Sequence, residues 1–64
     1  MRHTEFWSRL DEALGRESSG SWAELFVINE LGGRTTRQAI DDGIEPKRVW
    51  AAVWRVLELP ERYR

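Results

Sequence analysis

Apolar residues fall near the start of the chain at Phe6, Trp7, Leu10, Ala13 and Leu14, offsets of 0, 1, 4, 7 and 8 that mark one face of a helix. Thr4 is placed to cap it and Glu5 to complement its dipole, so a helix over about Thr4 to Leu14 is predicted, stopped by Gly15. The polar run Arg16 to Gly20 reads as a loop. Ser21 and Glu24 have capping-box spacing, and a second helix over about Trp22 to Leu31 follows, apolar around most of its girth and so expected to be the central, most buried element. The run Leu25-Phe26-Val27-Ile28 also has the length of a buried strand. No partner strand is evident, however, and an isolated strand is not stable, so the helix is the expectation. Gly32-Gly33 ends it. Thr35 and Gln38 repeat the capping-box spacing and open a short third helix, about Thr36 to Asp42, that buries Ala39 and Ile40. Pro46 starts a fourth, whose stripe Val49, Trp50, Val53, Trp54 and Leu57 again has helical offsets, and Pro60 ends it near Leu59. The pattern predicts an all-α bundle of four short helices.

Size and composition narrow the function. The chain has 64 residues, enough for one domain over residues 1–64, with residues 61–64 expected to fray unless Tyr63 folds back on the core. A domain of this size buries only about 60% of the surface of its unfolded chain, which leaves no room for a deep substrate cleft. An enzyme is not expected, nor a cofactor or a small-molecule substrate. There is no cysteine, and His3 is a lone imidazole near the chain start, which removes thiol chemistry and the usual zinc sites. The start Met1-Arg2-His3-Thr4-Glu5 has no apolar stretch suited to a signal or a membrane span, so a soluble cytoplasmic protein without membrane association is expected. Four tryptophans must supply much of the core, since each large ring can bury about 150 to 250 Å². Trp22 and Trp50, within the apolar stripes, are expected to be core.

The same residues carry a resemblance. Met1-Arg2 with Thr4-Glu5-Phe6-Trp7, Ser21-Trp22-Ala23, Glu30-Leu31-Gly32-Gly33-Arg34-Thr35, Pro46 with Val49-Trp50, and Leu59-Pro60-Glu61 occur in order over nearly the whole chain. Together they resemble a family of small actinobacterial proteins known only as a domain of unknown function. The resemblance implies a small helical cytoplasmic protein and brings no catalytic residues. Trp54 stands where cysteine is common in that family, so a thiol role does not carry over. The family's genomic association with recombinational repair implies DNA as an alternative partner.

Two constellations bear on function. Ala39, Gly43 and Val49 have the spacing of a helix-turn-helix: a small residue where two helices meet, a glycine in the turn, and an apolar residue locking the second helix. The helix from Pro46 would then be a recognition helix exposing Lys47, Arg48, Ala51, Ala52 and Arg55, with Arg34 and Arg37 adding phosphate contacts. Helix-glycine-helix is also the ordinary way to join two short helices. The net charge of -1 weighs against a dedicated DNA binder, although residues 1–31 hold three arginines against six acids and residues 32–64 seven basic residues against five acids. The second constellation is Trp7, Trp54 and Arg55. Tryptophan and arginine are enriched in the anchors of protein interfaces, and a small domain can hardly hide every ring.

The remaining candidates have simpler readings. Asp41, Asp42, Glu45 and Glu61 lack metal-ligand spacing and read as solvated, and the serines at 18, 19 and 21 read as loop and cap. Gly32-Gly33-Arg34-Thr35 could hold an anion at a helix start but lacks the longer glycine-loop fingerprint. The expected function is a non-enzymatic protein-interaction module using Trp7, Trp54 and Arg55. The alternative is DNA binding through Arg34, Arg37, Lys47, Arg48 and Arg55. Neither the partner nor the oligomeric state is encoded in these patterns.

Overall fold

A computed structural model describes all 64 residues. Helices α1 (His3–Leu14) and α2 (Arg16–Leu25) are followed by strand β1 (Val27–Ile28), a 3-10 turn over Asn29–Leu31, strand β2 (Arg34–Thr35), helices α3 (Thr36–Asp41) and α4 (Pro46–Val56), and a last 3-10 turn over Glu61–Tyr63. The protein is mostly helical with four helices, but it is not purely α: β1 and β2 pair antiparallel, Val27 opposite Thr35 and Ile28 opposite Arg34.

The second helix differs most from expectation. Gly15 has φ +87°, closes α1 with its amide on the Asp11 carbonyl at 2.7 Å, and offers its own carbonyl to the amides of Ser18 and Ser19. One residue thus ends one helix and starts the next. The segment Arg16 to Gly20 is therefore helix rather than loop. Ser19, buried, donates its hydroxyl to the Asp11 carboxylate and fastens α2 to α1. The Ser21–Glu24 capping box does not form, because Ser21 lies inside the helix. Similarly, α1 starts at His3 with Arg2 in the cap position, so Thr4 does not cap it.

Helix α2 ends at Leu25 because the backbone turns extended at Phe26, with φ -81° and ψ 120°. The chain then alternates, Val27 outward and Ile28 inward, as a strand does. The missing partner is Arg34–Thr35, too short and too polar to register in the hydrophobic pattern. It is brought alongside by Gly32 and Gly33, which hold φ +75° and +77° where residues with side chains are strained.

This boundary has a direct check. Gly20 lies inside α2 with ordinary helical backbone, and a Cβ there would meet nothing within 4 Å. Gly20→Ala is expected to raise stability by about 0.5–1 kcal/mol, because alanine loses less backbone entropy in a helix interior. Unchanged or lowered stability in urea unfolding would contradict the helix assignment.

The third helix follows the sequence closely, and the fourth starts at Pro46 as expected but ends at Val56 rather than near Leu59, because the backbone turns to φ +53° at Glu58 before Pro60 is reached. Thr35 Oγ1 accepts from the Gln38 amide at 3.2 Å and Gln38 Oε1 accepts from the Thr35 amide at 2.9 Å, a complete capping box. Pro46 occupies the first turn of α4. Between them Gly43 has φ +87°, and Ala39 and Val49 are fully buried where α3 meets α4.

The core comprises Phe6 and Leu10 of α1, Ala23 of α2, Ile28, Leu31, Ala39 and Ile40, and Val49, Trp50, Ala52 and Val53 of α4. Phe6 sits edge-on to both Trp7 and Trp50, with centroids 5.0 and 5.8 Å apart. Trp50 is core as expected. Trp22 is only half-buried, because the shortened α2 packs through Ser19 and Ala23. Ala52, expected on the exposed face of α4, is buried.

The C-terminal segment folds back on the core. After Leu57 the chain reverses through Glu58, at φ +53°, and returns along α4. The Trp50 indole N–H donates to the Tyr63 carbonyl at 2.7 Å, and that of Trp54 to the Pro60 carbonyl at 3.1 Å. Each ring finds its polar partner in the tail, and Tyr63 packs against the core.

Candidate functional site

Of the residues expected at a protein interface, Trp7 and Trp54 lie in local packing and Arg55 is exposed but paired. Trp7 is half-buried, edge-on to Phe6 and covered by the Arg37 guanidinium 4.3 Å from its ring centre. Trp54 is half-buried under the tail, with Arg64 5.3 Å above its ring. Arg55 makes a two-pronged contact with Glu30, Nε to Oε1 at 3.0 Å and Nη2 to Oε2.

Three of the five residues expected to contact DNA are engaged with carboxylates. Arg34 pairs with Asp42 at 2.8 Å and also donates to the Leu31 carbonyl, Arg37 pairs with Glu24 at 3.4 Å, and Arg55 pairs with Glu30. Only Lys47 and Arg48 of the five lack a salt bridge. Each paired arginine presents its charge with a carboxylate beside it, which weakens the attraction such a surface exerts on phosphates. Asp41, Asp42, Glu45 and Glu61 gather no metal-ligating cluster with one another or with His3.

The pair Glu30–Arg55 has a titration signature. Hydrogen bonding to the Arg55 guanidinium, aided by the charges of Arg55 and Arg48, holds the Glu30 carboxyl below its ordinary value. A carboxyl depressed on folding contributes stability that is full above the ordinary value and is lost as pH falls through the depressed one. NMR titration of the Glu30 side chain is therefore expected to find a midpoint below the ordinary glutamate value, and Arg55→Ala is expected to raise it toward that value. An unshifted midpoint in the parent would show that the pair does not persist in solution. Both groups are exposed, so the contribution to stability is small.

The surface that does stand out was hidden by the expectation of a long, buried second helix. Where α2 turns into β1, Leu25 is 78% exposed, Val27 53% and Phe26 42%. Phe26 stacks on half-buried Trp22 with centroids 5.2 Å apart and planes 17° apart, and Ser21, Trp22, Leu25 and Phe26 line a shallow, almost wholly apolar depression there. Such a patch is unusual, because folding normally removes large apolar side chains from water. A signal was present in the sequence: four consecutive apolar residues cannot all face inward from one side of a helix or strand. The acids Glu17, Glu24 and Glu30 lie close to this patch in sequence, in the half of the chain where acids outnumber arginines six to three.

No helix is long and apolar enough to cross a membrane. No curated protein and no solved structure shows significant similarity to the chain. A family model does match it, over residues 1–62, nearly the whole of the fold described above. The chain accordingly belongs to the family described as a protein of unknown function, DUF3046.

Proposed function

We propose that the protein is a non-enzymatic interaction module that docks a short apolar segment of another protein, flanked by basic residues, on the Ser21, Trp22, Leu25 and Phe26 patch. The observation that carries this reading is the 78% exposure of Leu25 beside the stacked Trp22–Phe26 pair. Aromatic anchors at the centre of a patch dominate binding energy at interfaces.

The kind of partner follows from area and charge. Four partly exposed side chains fall well short of the roughly 800 Å² per partner that a standard interface between folded proteins buries. That favours a short segment laid into the depression over a second copy of the chain. Glu17, one and two helical turns before Ser21 and Leu25 on α2 and without a salt bridge, favours a basic flank and disfavours an anionic lipid surface, whereas Glu24 and Glu30 are held by Arg37 and Arg55.

The test is an amide-resolved NMR titration with a short amphipathic peptide of leucine and lysine, alongside a leucine and glutamate counterpart and vesicles of anionic lipid. Saturable shifts on residues 21–27 are expected with the lysine peptide, weaker ones with the glutamate peptide, and none in Leu25→Asp. Since Leu25 is exposed, Leu25→Asp is expected to change stability by less than about 0.5 kcal/mol. No response to the lysine peptide, an equal response of Leu25→Asp, or stronger shifts with vesicles would overturn the reading. So would concentration-dependent dimerisation through the same residues.

A further inference from the structure

Away from the apolar patch, α1, the first turns of α4 and the C-terminal turn enclose an open cleft of about 360 Å³. Arg9, Lys47 and Arg64 line it from three different elements, with Glu5 as its one carboxylate, above a floor formed by Trp50 and Ala51. A smaller cleft of about 240 Å³ adjoins it, shares Arg9 and Arg64, and adds Arg62 and Glu12. Side chains around the two clefts thus supply four cations against two acids, in a protein whose overall charge is -1.

The cations are incompletely satisfied. Lys47 and Arg62 have no salt bridge, although the Arg62 guanidinium lies 5.1 Å from the Tyr63 ring centre, and Arg64, over the Trp54 ring, meets Glu61 only at 3.5 Å. Arg9 holds Glu5 at 3.1 Å and reaches the Arg64 carbonyl at 3.4 Å, so the cleft is tied to the tail. Guanidinium- and ammonium-bearing residues from three elements border one concavity, and forked and point-like donors together satisfy phosphate oxygens, with an anion there competing with Glu5 for Arg9. The volume exceeds the need of a bare ion and falls in the range of small-molecule sites.

We infer that this cleft binds a small organic phosphate of nucleoside-monophosphate size, its phosphate between Arg9, Lys47 and Arg64 and its less polar part toward Ala51 and the edge of Trp50. This site is independent of the apolar patch. It is shallow and holds no nucleophile or general base, so its role is binding. A bound anion joins α1, α4 and the tail, and the Trp50 indole N–H, already hydrogen-bonded to the Tyr63 carbonyl, reports on that closure.

The test is an indole- and amide-resolved NMR titration with AMP, inorganic phosphate and adenosine at low and moderate salt. AMP is expected to shift the Trp50 indole and the Lys47 and Ala51 amides saturably, phosphate to shift them more weakly, and adenosine not at all, with affinity falling as salt rises. Lys47→Ala is expected to weaken AMP binding about tenfold, equivalent to the loss of about 1.4 kcal/mol, whereas Arg48→Ala, outside the cleft, leaves it unchanged. Both residues are exposed, so folding is preserved and the comparison stands. No AMP response at low salt, equal weakening by the two substitutions, or an adenosine response matching that of AMP would overturn the inference.

Discussion

Trp50→Ala is expected to remove most of the protein's stability. The ring is 2% exposed, edge-on to Phe6 in the core, with its indole N–H donating to the tail. Large-to-small substitution at such a site costs about 3–5 kcal/mol through lost transfer energy and the cavity left behind. A chain of 64 residues has a total stability of roughly 3–10 kcal/mol, so the variant should be largely unfolded or melt far below the parent. Trp22→Ala is the internal comparison. Half-buried and stacked on exposed Phe26, Trp22 is expected to contribute only about 1 kcal/mol. Circular-dichroism melting of both variants reads the difference. A Trp50→Ala protein melting cooperatively at the parent temperature would show that the ring is not the centre of the core.

The double substitution Gly32→Ala with Gly33→Ala is expected to have the next largest effect. Both residues have φ near +75°, where an L side chain costs about 1–2 kcal/mol each, so the pair should lose about 2–4 kcal/mol. The added Cβ at Gly32 would also come within 2.8 Å of Arg34 Nη1, which is the end of a flexible side chain and can move. Backbone conformation, not contact, therefore decides the outcome. The loss should appear as reduced hydrogen-exchange protection centred on β1 and β2, since this turn brings Arg34 beside Ile28. Unchanged protection there would mean that the strand pair does not depend on the two glycines.

What could be read from the residues alone was set by interactions close in sequence. The capping box of Thr35 and Gln38, the proline start of α4, the stripe through Val49, Trp50 and Val53, and the Phe6–Leu10 face of α1 are satisfied within a few turns of the chain. Each emerged where the pattern placed it. The second helix failed because its fate depends on a non-local partner. Apolar residues 25 to 28 fit a helix or a strand equally well by themselves. The choice was made by Arg34 and Thr35, which arrive through the Gly32–Gly33 turn.

The candidate sites were less legible for the same reason. A second helix running on to Leu31 places Trp22, Leu25 and Phe26 in the core and leaves Trp7 and Trp54 as the rings expected at the surface. Arg37, the tail carbonyl of Pro60, and Arg64 cover or engage those two rings. The cleft cations Arg9, Lys47 and Arg64 are distant in sequence, and no spacing rule links them. By itself the sequence determined the family, the predominantly helical class, three of the four helices and most of the core, because periodicity and caps act over one or two turns. Only the tertiary structure decided where α2 stops, which aromatic rings remain in water and which cations find carboxylates, because those outcomes depend on contacts between segments that lie far apart along the chain.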